Sequence, residues 1–184
     1  MHDPARAAPT AGWIHALDRV SAGAGRLVAW LTVGMVGVGV WNTLARWLGR
    51  GAGIDLASNG LIEAQWYAFS VVFLLGASDA LRTNAHVRVD VLYGRASPRR
   101  RAWIDLVGTL LLGLPFCIAL VVLSWPGAAE SFAIGERSPD PGGLPRWPLR
   151  ALVPVGFALL TLQAVSEGAK RAYELLRGPP GGDP

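Results

Sequence analysis

Four long stretches of this sequence run without a charged side chain, and that feature restricts the fold more than any other. The first covers residues 27–45, between Arg26 and Arg46. Its nineteen residues span roughly 28 Å as a helix, close to the thickness of a bilayer's hydrocarbon core. The second covers residues 64–78, fifteen residues between Glu63 and Asp79. These carboxylates fit the two head-group levels, and Leu61, Ile62, Ala80 and Leu81 extend the helix. The third covers residues 106–129, between Asp105 and Glu130, and includes Pro115, whose kink a membrane helix tolerates. The fourth, residues 151–166 between Arg150 and Glu167, is short enough that a buried soluble helix fits it as well. Lipid offers no hydrogen bonds to an open backbone, so the expected fold is an all-α membrane protein with four transmembrane helices. The spans are expected at about residues 27–47, 58–81, 104–129 and 149–167 of a membrane domain covering 27–169.

Composition agrees: 52% apolar and 16% charged residues suit neither an ordinary soluble domain nor a disordered chain. Trp47, Trp103, Trp125 and Trp147 fall at or just beyond run ends, where an amphipathic ring prefers the membrane interface. The formal net charge of +4 does not point to nucleic acid, because the arginines lie between apolar runs rather than along one soluble face. Lipid head groups explain them better. The N-terminal arm, the connection between the second and third spans, and the C-terminal tail hold 12 Lys and Arg residues, against 5 in the other two connections. The positive-inside rule then predicts both termini, and the arginine-rich loop around residues 82–101, on the cytoplasmic side.

Outside the spans, Trp13, Ile14, Leu17 and Val20 share one helical face while His15, Asp18 and Arg19 share the other. A short interfacial helix is expected within the cytoplasmic arm, residues 1–26. The arm lacks the pattern of a cleavable signal peptide, so the first span is expected to remain in the protein. The tail, residues 170–184, ends in GPPGGDP and is expected to be disordered at that end. The third connection is rich in Pro and Gly from Pro139 to Pro145 and reads as a stiff external loop.

Residues that carry chemistry are sparse. No charge lies near the middle of a span, where proton relays and substrate paths usually show themselves. His2, His15 and His86 all lie outside the spans, which leaves no paired axial ligands for a haem. No zinc cluster, phosphate-cradling glycine loop or activated nucleophile is recognisable, and neither a cofactor nor an enzymatic activity is expected. Cys117, the single cysteine, sits in an apolar run and reads as a buried, inert thiol. Gly34, Gly37 and Gly39 form a small-residue strip suited to close helix packing. Asn42, Gln65 and Gln163 are the span residues best suited to coordinate an ion, but they are few and near span ends.

A set of blocks carries a family resemblance: ALDR (16–19), WNTLARW (41–47), LLGASDALRTNAHVRVDVLY (74–93), SPRRRAWIDL (97–106) and GERSPDPGGLPRWPLRALVPVGFALLTLQ (135–163). In content, order and spacing the chain resembles the small, Q-type membrane subunit of tripartite ATP-independent periplasmic (TRAP) transporters. The third-loop block looks most like members that handle keto-acid, mannitol or chloroaromatic-type compounds. The resemblance implies a complex in a bacterial inner membrane. In it, a periplasmic binding protein delivers an organic acid anion to a large membrane subunit driven by a sodium gradient, and the small subunit scaffolds the large one. Arg82, His86, Arg88, Asp90, Arg100 and Asp105 are then candidates for the subunit interface, with residues 86–93 an interfacial segment. Glu136, Arg137, Pro139, Gly142, Gly143 and Pro145 are candidates in the external loop. Asp79 departs from the family's usual small or apolar residue, and Arg82 at i+3 offers it a local partner. Two other classes stay open at this level: a membrane anchor for a redox enzyme, and a separate small channel or exporter.

Overall fold

No proline interrupts residues 12–52, and in a computed structural model they form one helix, α1 (Gly12–Ala52), of 41 residues. The structure describes residues 12–53, 58–85 and 96–177. At about 1.5 Å per residue α1 is roughly 60 Å long, about twice the hydrocarbon thickness. The expected interfacial helix is therefore present as helix but not as a separate one: it is the opening of α1. The sequence between Val20 and Leu27, SAGAGR, is flexible but holds no residue that forces a break. Tertiary contacts reinforce the continuity, since Ile14 and Ser21 on those first turns are both buried.

Ser58 caps α2 (Asn59–Arg82) by accepting from the Leu61 N–H at 3.2 Å. The helix stops where the Thr83 N–H returns to Asp79 and Asn84 takes a left-handed conformation, φ 59°. Ser97 caps α3 (Pro98–Gly108) with Pro98 in its first turn. A π-helical turn, Thr109–Gly113, joins α3 to α4 (Leu114–Ile134), and the Leu114 N–H reaches back five residues to Thr109. That wider turn directly precedes Pro115, which has no N–H to give the ladder. Gly135, φ 61°, ends α4. The last helix, α5 (Trp147–Arg177), runs well past the expected span end near residue 167, because EGAKRAYELLR contains strong helix formers and no proline.

Four helical stretches are long and apolar enough to cross a membrane: Gly12–Gly51, Asn59–Arg82, Arg99–Ile134 and Trp147–Leu176. α5 is the hub, packing on α1, α2, α3 and α4, while α1 and α2 pair along their length. Glycine makes two of these approaches possible. A Cβ at Gly25 would overlap the Asp79 carboxylate, and one at Gly156 would stand 2.7 Å from the Leu74 Cβ. Gly39 faces Gln65, but Gly34 and Gly37 have open space before them, so the expected packing strip splits between two faces of α1. Among the described residues the buried apolar side chains are small or few: Ile14, Ala45, Ala102, Cys117, Ala128 and Ala164. Seven tryptophans are exposed, as anchors or lipid-facing rings should be, whereas Trp147 meets Phe132 edge to face at 5.2 Å.

Candidate functional site

The middles of the spans are apolar, and polar chemistry gathers at the two ends of the bundle. One end collects the start of α1, the end of α2, the start of α3 and the late turns of α5. There Gln163, fully buried, accepts from the Ser21 hydroxyl at 2.7 Å and donates to Asp18 at 3.0 Å and Glu167 at 3.2 Å. Lys170 bridges the same two carboxylates, at 2.8 Å from Asp18 and 2.7 Å from Glu167. Ser166 adds a donor to Asp18 at 3.3 Å. Nearby, Arg171 pairs with Asp105 at 3.4 Å and Glu174 at 2.9 Å, tying α5 to α3.

The opposite end is organised by a polar ladder on α2. Asn59, Glu63 and Tyr67 are spaced four residues apart, so they stack on one face over successive turns. All three reach the loop between α4 and α5. Asn59 donates to the Pro141 carbonyl at 3.2 Å, and Tyr67 donates to that of Pro145 at 2.5 Å. Between them the Glu63 carboxylate, 4% exposed, accepts from the Ser138 hydroxyl and from the Leu144 N–H at 2.6 Å. The other flank is held by Glu136, which accepts from the Ser131 hydroxyl at 2.7 Å and pairs with Arg150 at 2.8 Å. That hydroxyl bond, helped by Arg150 and Arg146 against the cost of desolvation, holds the Glu136 carboxyl below its ordinary range. Within the loop, Arg137 and Pro145 form an isolated antiparallel bridge. Gly142 adopts φ 72°, and Gly143 lies so close to Ser138 that a Cβ would collide with it.

The candidates named from sequence fall out unevenly. All six external-loop residues, Glu136, Arg137, Pro139, Gly142, Gly143 and Pro145, share this one loop; the side chains of Arg137 and Pro139 are exposed. Of the interface candidates, Arg82 pairs locally with Asp79 at 2.8 Å, as its i+3 placement suggested. Asp105 pairs with Arg171, and Arg100 is exposed on the first turn of α3. His86, Arg88, Asp90 and the interfacial segment 86–93 lie outside the described residues. Sequence reasoning treated Glu63 only as a span boundary and missed Asn59 and Tyr67, although their spacing of four was a readable signal. Asn42 is buried, and its Oδ1 has no partner among the described residues. No group of three metal-ligating side chains occurs among the described residues.

These features define a multi-pass membrane protein whose spans carry no charge at their middles and whose helices are tied by polar groups at either end. A family model described as tripartite ATP-independent periplasmic transporters, DctQ component, matches residues 35–172, and the chain belongs to that family. It is also 30% identical over 107 residues to the C4-dicarboxylate TRAP transporter small permease protein DctQ of Pseudomonas aeruginosa. The match covers 58% of this chain and 50% of that relative, so the chain spans about half the length of the curated protein it resembles. The family is one of transporters rather than enzymes, which removes the redox-enzyme reading, and it places this multi-pass protein in the inner membrane.

Proposed function

We propose that this chain is a scaffold: the small permease subunit that braces a large permease subunit during sodium-gradient-driven uptake of an organic acid anion. A periplasmic binding protein delivers the anion on the side of the 136–146 loop, and both termini lie in the cytoplasm. The observation that carries this reading is the distribution of polar groups. A subunit that moved ions itself needs ligands converging inside the membrane, whereas here Gln163 and Gln65 are committed to helix-to-helix bonds, the latter donating to the Met35 carbonyl at 3.4 Å. That leaves the buried Asn42, whose Oδ1 has no partner among the described residues, as a single group rather than a converging set. The name of the Pseudomonas relative makes C4-dicarboxylates the first substrates to try. Docking to the large subunit falls to Arg100, His86, Arg88 and Asp90. Arg82 and Asp105 serve less directly, since each already holds a partner.

Uptake of radiolabelled succinate and of a keto-acid panel into proteoliposomes tests the reading. The vesicles contain the large subunit and binding protein with this chain present, absent, or carrying Asn42→Leu, Gln65→Leu or Gln163→Met. Uptake should require both the chain and the sodium gradient. The variants should change the amount of assembled complex but not its affinities. A tenfold affinity shift in any variant, about 1.4 kcal/mol at the site, would make the chain a direct participant and overturn the scaffold.

A further inference from the structure

The external loop is held more firmly than a connection requires. Loops ordinarily run over the surface with few ties to the elements they join. Here four side chains of two helices, Asn59, Glu63, Tyr67 and Arg150, reach into residues 136–146. Glu63 is the centre of the arrangement. Its carboxylate is almost wholly withdrawn from solvent, one oxygen taking a loop hydroxyl 75 residues further along the chain and the other a loop backbone N–H 81 residues further along. Such a group is costly to bury unless both oxygens are satisfied, and the loop conformation seen here satisfies both. That conformation depends on the left-handed Gly142 and the crowded Gly143. Its outcome is specific: Ser138, Leu144 and Pro145 turn inward, while Arg137, Pro139, Asp140 and Pro141 remain exposed at the tip. The tip thus offers one cation, one anion and two rigid rings in a fixed arrangement, at the end of the bundle and outside every apolar span.

We infer that Asn59, Glu63 and Tyr67 are positioning residues that preform this tip as a docking element for a soluble protein, which on the proposed reading is the periplasmic binding protein. The argument is one of preorganisation. An ordered loop spares the complex the cost of fixing it at the moment of binding. A tip of exposed charges and prolines suits a polar, transient contact with a water-soluble surface rather than a lipid-embedded helix. The inference rests on the scaffold reading for the identity of the partner, and the choice of ladder residues rests on the structure alone.

The test is a titration of fluorescently labelled cognate binding protein against the small and large subunits reassembled in nanodiscs, with Kd and binding amplitude read separately. Glu63→Gln removes the charge from both bonds, leaving a neutral amide oxygen to accept from the Leu144 N–H and an amide N–H to donate to the Ser138 hydroxyl oxygen. Neutral bonds are weaker than charge-assisted ones, and Kd should rise about threefold to tenfold, or roughly 0.7–1.4 kcal/mol, at unchanged amplitude per assembled complex. Ser138→Ala removes the hydroxyl that donates to Glu63 and accepts from the Asp140 N–H at 3.2 Å, leaves every helix intact and should raise Kd in the same direction, with Ser138→Thr restoring it. Should Glu63→Gln fail to assemble, the serine pair still decides the matter. Unchanged Kd in Ser138→Ala, or a loss of amplitude alone, would overturn the positioning role and leave the ladder a stability device. Absence of any docking by the wild-type complex would instead strike the scaffold reading, and this inference with it.

Discussion

Gln163 is the side chain on which the arginine-rich end of the bundle converges, and Gln163→Met isolates what its amide contributes. Methionine is unbranched and of similar length, so little cavity opens and the loss is chiefly that of three hydrogen bonds. The partners left behind are the Ser21 hydroxyl and the Asp18 and Glu167 carboxylates. None is stranded. A serine in a helix can turn to a carbonyl of its own preceding turn, and both carboxylates keep Lys170. The large penalty for an orphaned buried group therefore does not apply. The better guide is the measured worth of side-chain hydrogen bonds between membrane helices, about 0.6 kcal/mol on average and about 1.7 at most. Three such bonds give about 2 kcal/mol. Steric-trapping measurements of unfolding in bicelles should show that loss, and a double-mutant cycle with Ser21→Ala should return a coupling of about 0.6–1.7 kcal/mol. A total effect under about 0.5 kcal/mol, or additive single mutants, would mean that the helices are held by packing and that this polar cluster is incidental.

Gly25→Ala drives a methyl group into the Asp79 carboxylate and should cost about 1–3 kcal/mol, whereas Gly34→Ala meets open space and should be neutral or slightly stabilising in the same unfolding assay. For orientation, cysteines at Ala96→Cys and Asp140→Cys in a Cys117→Ser background should label from opposite sides of the membrane. Asp140 is chosen because Gly142, with φ 72°, would be strained by any side chain, and labelling of both from the periplasm would refute the proposed topology. For pH, the Glu136 carboxyl is depressed below its ordinary value of 4.5. Its contribution to stability is therefore present above that value and is lost as pH falls through the lower folded one. Melting in detergent from neutral pH down to about pH 3 should show a fall below about 4.5 that is shallower in Glu136→Gln, and identical curves would show that the carboxylate does not hold the loop. Arg88→Ala and Asp90→Ala should lower co-purification of the large subunit more than Arg99→Ala, and equal yields would reduce the arginine-rich loop to a topology signal.

The spans were legible because charge-free runs and hydrocarbon thickness are both one-dimensional quantities. The helix ends were less so. Charge marks where lipid stops, but a helix continues as long as its residues permit, which is why α1 and α5 extend well beyond their apolar runs. The Asp79–Arg82 pair was visible because it lies within one turn. The Glu63 anchor was not, since its partners lie 75 and 81 residues away and nothing local distinguishes it from a carboxylate resting at the head groups. The polar spacing of Asn59, Glu63 and Tyr67 could have marked a buried face, but not what would cover it. The same holds for Gln163: sequence offered it as a possible ligand, and only the approach of α1 made it a crosslink.

The division of labour among side chains bears on how such a subunit works. In water, helices are driven together by burying large apolar groups, but lipid tails are as apolar as leucine, so that drive is absent between spans. This chain follows the consequence. Its large apolar side chains, Trp30, Phe73, Leu112 and Leu123 among them, face outward, and its interior contacts use Gly, Ala and Ser with polar crosslinks at each end. Internal cohesion and external surface are thus assigned to different residues. Outward-facing Trp, Phe and Leu can meet lipid or another subunit at little difference in free energy, while the bundle itself stays fixed by contacts that no partner needs to touch. A groove of about 360 Å³ between α1 and α2, with Trp30 and Gly34 in its lining, belongs to that outward surface. On the scaffold proposal a brace must not deform as its neighbour moves, and crosslinks at the two ends of the spans would oppose bending and sliding better than the same bonds grouped at mid-membrane, where they would act as a pivot. If that is the reason for their placement, loosening one end by Gln163→Met and the other by Glu63→Gln should reduce uptake per assembled complex by more than the product of the two single effects. Simple multiplication of the two single effects would show instead that each end serves only its own local structure.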